Sequence, residues 1–295
     1  MKILITGSTG MLGSECKKVL SEEHQVIAPG KNEMDITNWD GVINNLQKIS
    51  PDVVLNCAAF TDVDGSEKED FLVRKINIEG PRNLAQCSAR YNCKFVHISS
   101  NYVFDGQKNF PQPYFEDDPL NPLSAYGRSK LESEIAVREN SPNYVIVRTA
   151  CLYGQNGKNF IKAVISHAVH KKTDVLRLAD DQIGSPTWAY RLALQIRQIL
   201  NTEGVGTYHA TAEGYCSPFE YAGFITEKLG LKARLEPCKF KDLARPARRP
   251  ANSLLENRLL KKQGINLMVD WREDVNAFLD TFGDGLIKEA EAKKP

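Results

Sequence analysis

Several features that mark other protein classes are missing from this sequence. No apolar run approaches the roughly 20 residues that a membrane-spanning helix needs. The 38 Lys and Arg residues nearly balance the 37 Asp and Glu residues, and the net charge of +1 attracts neither nucleic acid nor an anionic membrane. The seven cysteines are dispersed without a Cys-x-x-Cys pair, which argues against a disulfide framework and a zinc site. Because the chain also starts without a recognisable signal peptide, we expect a cytoplasmic protein.

What the sequence does contain, over its first half, is an alternation of short apolar runs and longer amphipathic segments. Continuous apolar runs are typical of strands that are covered on both faces, and here they lie at 3–5, 25–28, 53–56, 95–98 and 145–147. The segments between them are predicted helices at 11–20, 39–49, 71–91 and 125–138. This alternation predicts an α/β fold with a Rossmann-type, doubly wound parallel sheet.

The pattern changes after about residue 150, where loop-forming segments and short helices take over. We therefore predict two domains. The dinucleotide-binding domain covers 1–150, with a returning segment near 187–203. A smaller, mixed α/β substrate-binding domain takes 151–186 and 204–295, over the carboxyl ends of the sheet strands, where open α/β sheets bind ligands.

A glycine-rich turn directly follows the first predicted strand. Gly7, Gly10 and Gly13 are spaced three residues apart and lead into a predicted helix. Residues without a Cβ allow a tight turn, close approach of a pyrophosphate and close helix–strand packing, while the helix N–H groups attract phosphate. The turn therefore predicts a dinucleotide site. Lys31, after the second strand, would pair with the 2′-phosphate of NADPH; a solvated surface lysine fits equally well, so NADH stays open.

A second motif carries acid–base chemistry. Tyr126 and Lys130 lie four residues apart in a predicted helix and so share one face. A phenol ionises near pH ~10, and an ammonium within about 4–6 Å would lower that pKa toward the range useful for proton transfer. Upstream, Ser99 and Ser100 end the fourth predicted strand, where a hydroxyl would donate to a substrate carbonyl. Together with the glycine turn, these residues predict a nicotinamide-dependent reductase.

Five segments resemble the dTDP-4-dehydrorhamnose reductases, a branch of the extended short-chain dehydrogenase/reductase family; they are 58–64, 99–106, 126–131, 181–187 and 247–253. The resemblance implies a catalytic trio of Ser100, Tyr126 and Lys130. It also implies hydride transfer from NADPH, or from NADH, to the 4-keto group of a dTDP-activated 6-deoxyhexose, giving dTDP-L-rhamnose.

The glycine turn and the resemblance together imply the positions that contact the two ligands. The cofactor positions are Gly7, Thr9, Gly10, Met11, Leu12, Lys31, Asp35, Ile36, Ala58, Ala59 and Thr61, together with Tyr126 and Lys130. The positions expected near the nucleotide sugar are Val63, Asn101, Gln182 and Arg249. A guanidinium such as that of Arg249 suits a substrate diphosphate, although a surface loop charge is the competing interpretation.

Two residues depart from the family pattern and leave the exact sugar open. Asn101 stands where the family usually has Asp, and Cys151 stands where an aromatic residue often precedes Leu-Tyr-Gly. Two alternative functions stay open: a regulatory binding subunit resembling the methionine adenosyltransferase beta subunit, and a nucleotide-sugar 4-epimerase. A dehydratase is disfavoured, because Asn101-Tyr102 replaces the acid pair of those enzymes.

The expected partners follow from these predictions. The chain would bind a nucleotide-sugar substrate but neither nucleic acid nor a membrane, and a homodimer stays open. His167 and His170 lie three residues apart, but no acidic or thiol ligand has matching spacing, so we expect no metal site.

Overall fold

The computed structural model describes residues 1–171 and 174–293. The strands, in chain order, are β1 (Lys2–Thr6), β2 (Gln25–Ile27), β3 (Val53–Asn56), β4 (Lys94–Ser100), β5 (Tyr144–Thr149), β6 (Leu152–Tyr153), β7 (Val175–Ala179), β8 (Thr187–Trp188), β9 (Gly206–His209) and β10 (Arg234–Cys238). The α-helices are α1 (Met11–Leu20), α2 (Trp39–Ile49), α3 (Asp70–Arg74), α4 (Gly80–Arg90), α5 (Ala125–Asn140), α6 (Phe160–His170), α7 (Ala189–Leu200), α8 (Pro218–Lys228), α9 (Arg258–Lys262) and α10 (Trp271–Ala292).

The main sheet is parallel throughout and has the strand order β2-β1-β3-β4-β5-β9. The strand order reverses at β1, so the carboxyl ends of β1 and β3 flank the point where sheets of this kind bind ligands. The longest pairing joins β4 to β5, from Phe95 opposite Tyr144 to Ser100 opposite Thr149. This arrangement confirms the predicted doubly wound α/β fold.

The central residues of the strands are mostly apolar on both faces because helices cover both faces of the sheet. In β1, Ile3 and Ile5 point into one core with α1 and α7, whereas Leu4 points into the opposite core with α2 and α4. All three side chains are fully buried. Burial of one such side chain contributes about 1.5–3 kcal/mol to stability. The two cores therefore fix the position of the sheet and of its carboxyl edge.

The predicted helix at 71–91 is in fact interrupted. A π-helical turn, Lys75–Glu79, separates α3 from α4. Pro81 follows in the first turn of α4 and has no N–H with which to bond the carbonyl of residue 77, so a regular α-helix cannot continue through this point. The extra residue turns Asn77 inward, where it is buried.

A second layer is built from the later part of the chain. β7 pairs with β10, and β6 pairs with β8, both in parallel. The helices α6, α8 and α10 share a core whose largest members are Tyr153, Trp271 and Phe278. Of the predicted second domain, residues 172, 173, 294 and 295 lie outside the described part of the chain.

The last strand of the main sheet comes from the later part of the chain. β9 pairs with β5, so residues 206–209 extend the main sheet, although the prediction assigned everything from 204 onward to the second domain. Tyr208 of β9 and Leu260 of α9 are fully buried in the same core as α1 and α7. In residues 1–171 and 174–293, no helix has the length and apolar character that a membrane span requires.

Candidate active site

At the glycine turn, the backbone packs directly against the start of α1 and against the loop after β3. Gly7 has a φ of +67°, and a Cβ there would lie 2.5 Å from the amide nitrogen of Ala58. A Cβ on Gly13 would overlap the carbonyl oxygen of Gly7 and lie 2.9 Å from the Cα of Ser8. Gly10 precedes α1 and has no side chain to cap it, so the first N–H groups of α1 remain available to a phosphate.

The remaining cofactor positions surround this turn. The hydroxyl of Ser8 donates to the carbonyls of Ala28 and Pro29, both at 3.2 Å, which ties the turn to the segment that leads to exposed Lys31. The carboxylate of Asp35 accepts from the backbone and side chain of Thr37, both at 2.9 Å, and Ile36 is buried. A glycine cradle that a Cβ would fill, together with an exposed lysine beside it, fits a phosphorylated dinucleotide.

The positions after β3 complete this side of the site. Ala58 donates its N–H to the side-chain oxygen of Asn56 at 3.1 Å, and Ala59 and Thr61 follow in the same loop. Met11 and Leu12 open α1 on the other side of the turn, with Leu12 buried and Thr9 exposed.

Asn77 is a site residue that sequence reasoning missed. Its side chain accepts from the N–H of Phe60 at 2.7 Å and donates to the carbonyl of Phe60 at 3.0 Å and to the hydroxyl of Ser129 at 2.9 Å. It therefore joins the loop after β3 to the helix that carries Lys130. The available signal was Pro81, which predicts a break in the helix around this position.

The three residues of the predicted trio meet at the carboxyl end of β4. Ser100 ends that strand; its hydroxyl accepts from the N–H of Tyr102 at 3.2 Å and donates to the side-chain oxygen of Asn101 at 3.1 Å. Tyr126 lies in the first turn of α5. One turn later, the ammonium of Lys130 donates to the carbonyl of Ile98 at 2.7 Å.

The pKa of Tyr126 differs from the expectation. Burial raises the pKa of the phenol above its ordinary value, and the neighbouring Ser100 hydroxyl lowers it by less. The expected lowering by Lys130 is wrong, because burial of the phenol dominates the pKa of Tyr126. Burial also lowers the pKa of the Lys130 ammonium, to about 8. A phenol with a raised pKa stays protonated at neutral pH, which is the form that donates a proton.

A cavity of about 470 Å³ lies beside the trio, within the range typical of small-molecule sites. Its wall is largely apolar and aromatic and includes Tyr102, Phe160 and Tyr221. The ring of Tyr102 packs edge-on against the ring of Tyr126, with centroids 5.8 Å apart and an interplanar angle of 80°. Tyr102 therefore connects the cavity to the trio, whereas Ser100, Tyr126 and Lys130 are not among the described residues that line the cavity.

The predicted substrate residues are only partly brought together. Gln182 and Arg249 line the cavity, and so does Cys151. Asn101 is buried behind the cavity wall, where its amide donates to the carbonyl of Ser253 at 3.3 Å. Val63 is half-buried and lies outside the set of described residues that line the cavity.

Arg249 is not a free cation. Its guanidinium donates two parallel hydrogen bonds to the carboxylate of Asp64, at 3.0 Å and 2.9 Å. The hydrogen bond from Arg249 is the main reason that the pKa of Asp64 lies below its ordinary value. The pair fixes the guanidinium at the cavity rim, so Arg249 presents only part of its charge and donors to a ligand.

Comparisons with known proteins agree with this geometry. The sequence model of the RmlD substrate binding domain matches residues 1–283. The spore coat polysaccharide biosynthesis protein SpsK of Bacillus subtilis is 37% identical over 279 residues, which cover 94% of this chain and 96% of that protein.

Two solved structures are also similar over nearly the whole chain. The dTDP-4-dehydrorhamnose reductase of Clostridium acetobutylicum has 39% identity and a TM-score of 0.92, covering 96% of this chain and 100% of its own. The dTDP-4-dehydrorhamnose reductase of Bacillus anthracis, in complex with NADP, has 36% identity and a TM-score of 0.91, covering 95% and 99%. The chain therefore belongs to the RmlD substrate binding domain family, within the dTDP-4-dehydrorhamnose reductase branch of the extended short-chain dehydrogenases/reductases.

Proposed function

We propose that this protein reduces the 4-keto group of dTDP-4-dehydrorhamnose to give dTDP-L-rhamnose, with NADPH as the preferred coenzyme and NADH as the alternative. The observation that carries the proposal is the contact between Tyr102, which lines the cavity, and the ring of Tyr126. A keto sugar in the cavity would lie against Tyr102, the residue that packs on Tyr126. The NADP complex of the Bacillus anthracis relative supports the choice of coenzyme.

The chain's own residues would hold the cofactor and move one proton. A bound nicotinamide coenzyme supplies the hydride. The turn at Gly7 and Gly10 would hold its pyrophosphate, and Lys31 would pair with a 2′-phosphate. Tyr126, whose phenol is protonated at neutral pH, would donate that proton to the sugar oxygen.

Ser100 would hold the same oxygen. Its hydroxyl hydrogen points to Asn101 at 3.1 Å and would turn from there to the substrate carbonyl. Lys130 would keep its charge close to the phenol, fixed by the carbonyl of Ile98. Gln182 and Arg249, which line the cavity, would contact the nucleotide sugar; Asn101 and Val63 are not among the described residues that line it.

The test is a panel of dTDP-, UDP- and GDP-activated 4-keto sugars, each assayed with NADPH and with NADH. We expect coenzyme oxidation with the dTDP-4-keto-6-deoxy sugar and faster turnover with NADPH. Binding of coenzyme without turnover of any keto sugar would contradict the proposal and favour the regulatory subunit. Tightly held NAD with interconversion of 4-epimers would favour the epimerase instead.

We also propose that the protein acts in the cytoplasm, which the free thiol state of all seven cysteines supports. Light scattering on the same preparation would show whether the homodimer forms.

A further inference from the structure

The helix that carries Tyr126 and Lys130, α5, makes hydrogen bonds to β4 that the proposed reaction does not itself use. Tyr126, Lys130 and Glu134 follow one another at intervals of four residues, so they share one face of α5. Glu134 accepts a hydrogen bond from the hydroxyl of Ser99 at 2.6 Å, and Lys130 donates to the carbonyl of Ile98. Two hydrogen bonds between α5 and β4 therefore lie next to the proposed reactive residues Tyr126 and Ser100.

The Glu134 side chain is fully buried and makes charged contacts on its other side. Arg148 of β5, only 2% exposed, donates to both carboxylate oxygens, at 2.9 Å and 2.8 Å. Arg138 of α5 donates to the second oxygen at 2.7 Å. Burial of an ion pair is costly, and apolar residues of similar volume often hold two elements together equally well. The presence of this pair behind the trio therefore calls for a role beyond packing.

We propose that Glu134 is a positioning residue for the reduction: through Ser99 it fixes the end of β4 relative to α5, and from the same face of α5, one turn beyond Lys130, it places a negative charge behind that buried ammonium. This inference rests on the proposed function for its catalytic consequence. Its electrostatic part concerns the protein alone.

Among the groups around Lys130, Glu134 does most to keep the ammonium charged. Burial lowers the pKa of Lys130 to about 8, whereas Glu134 and, more weakly, Cys57 raise it. The groups that face Lys130 from the packed elements are Cys57 after β3, His97 on β4, Tyr126 and Glu134 on α5, and Arg148 on β5 behind Glu134. Loss of the Glu134 charge would leave the burial of Lys130 and the cation of Arg148 acting in the same direction.

His97 adds no charge of its own beside Lys130, because its hydrogen bonds hold the ring neutral. The side-chain oxygen of Asn56 accepts from the hydroxyl of Thr6 at 2.6 Å, so the amide NH₂ group of Asn56 points to Nδ1 of His97, 3.1 Å away. Nδ1 is therefore an acceptor and Nε2 carries the hydrogen, 2.9 Å from the hydroxyl of Ser133. Burial and the neighbouring Lys130 lower the pKa of His97 well below its ordinary value.

The experiment compares Glu134→Gln with Glu134→Asp in the full chain. Lysine side-chain NMR follows the titration of Lys130 in the protein without coenzyme, with Lys130→Arg used to assign its signal. We expect a midpoint near 8 in the wild type and in Glu134→Asp, and a midpoint ~1 pH unit lower in Glu134→Gln. The alkaline limb of kcat should move with it, while KM stays unchanged.

Two further variants separate charge, position and general destabilisation. Ser99→Ala keeps the carboxylate but removes its contact with β4, so kcat should fall roughly 10- to 100-fold with no movement of the alkaline limb. Asp274→Asn is the matched control, because Asp274 is a buried carboxylate paired with Arg191 at 2.9 Å on α10 and α7. It should lower thermal stability and leave the Lys130 titration unchanged.

Distinct results would overturn the inference. A Glu134→Gln protein that titrates like the wild type, or an Asp274→Asn protein that moves the midpoint equally, would remove the electrostatic role. If Glu134→Gln does not fold, an unchanged kcat in Ser99→Ala would remove the positioning role. A wild type that reduces no keto sugar would refute the proposed function, and the NMR titration would still decide the charge.

Discussion

Replacing Gly13 by alanine should separate the packing role of the glycine turn from ordinary helix propensity. Alanine in a helix interior is favoured over glycine by up to ~1 kcal/mol. At Gly13, however, the added methyl would overlap the carbonyl oxygen of Gly7 and lie 2.8 Å from its carbonyl carbon, and both are backbone atoms that cannot rotate away. Overpacking of this kind costs about 1–3 kcal/mol or more. We expect a net loss of about 2 kcal/mol and displacement of α1 from β1.

Gly223→Ala is the matched control. Gly223 also lies inside a helix, α8, but a Cβ there meets no described atom within 4 Å. A kcal/mol shifts the melting temperature by about 2–4 °C in a chain of this size. The Gly13 variant should therefore melt several degrees below the wild type and bind NADPH more weakly, while the Gly223 variant should melt slightly higher and bind normally. Equal melting temperatures and equal coenzyme affinities for the two variants would refute the packing argument.

Three further predictions concern the site. Tyr126→Phe should lower kcat by about 10²- to 10⁴-fold and leave NADPH affinity nearly unchanged in a fluorescence titration; full activity would disprove the proton-donor role. The kcat of the wild type should fall as pH rises through about 8, where Lys130 loses its proton, so a flat alkaline profile would contradict the role of that charge. Asp64→Asn should raise the KM for the nucleotide sugar with little change in kcat, because Arg249 loses its fixed orientation; at neutral pH the pair is intact, since the pKa of Asp64 is lowered.

Much of the fold was predictable because its signals are local. The predicted helices at 11–20 and 39–49 have the same bounds as α1 and α2 in the structure. The apolar runs predicted β1, β3, β4 and β5, since a strand covered on both faces needs an apolar side chain at nearly every position. β9 also has a local strand signal, but its partner β5 lies some 60 residues earlier, and no local pattern identifies that partner.

The site shows the same division between local and distant information. The spacing of Tyr126 and Lys130 placed both on one face of α5, and the position of Ser100 at the end of β4 placed it beside them. The pair of Asp64 with Arg249 joins residues 185 positions apart, so no local sequence pattern predicts a partly neutralised guanidinium. The direction in which the pKa of Tyr126 shifts could not be predicted from the sequence either, because it depends on how deeply the phenol is buried.

The position of Asn101 links the choice of substrate to the reaction itself. Its side-chain oxygen accepts the hydroxyl hydrogen of Ser100, while its amide donates to the carbonyl of Ser253, a residue that lines the cavity. A neutral amide oxygen holds a hydroxyl hydrogen less strongly than the carboxylate that the family usually has at this position. In the proposed reaction, the Ser100 hydroxyl would therefore turn toward a substrate oxygen at a lower free-energy cost than it would beside an aspartate. The amide hydrogen bond also links Asn101, and through it Ser100, to the carbonyl of Ser253, so a sugar that displaced Ser253 would change the orientation of the Ser100 hydroxyl as well.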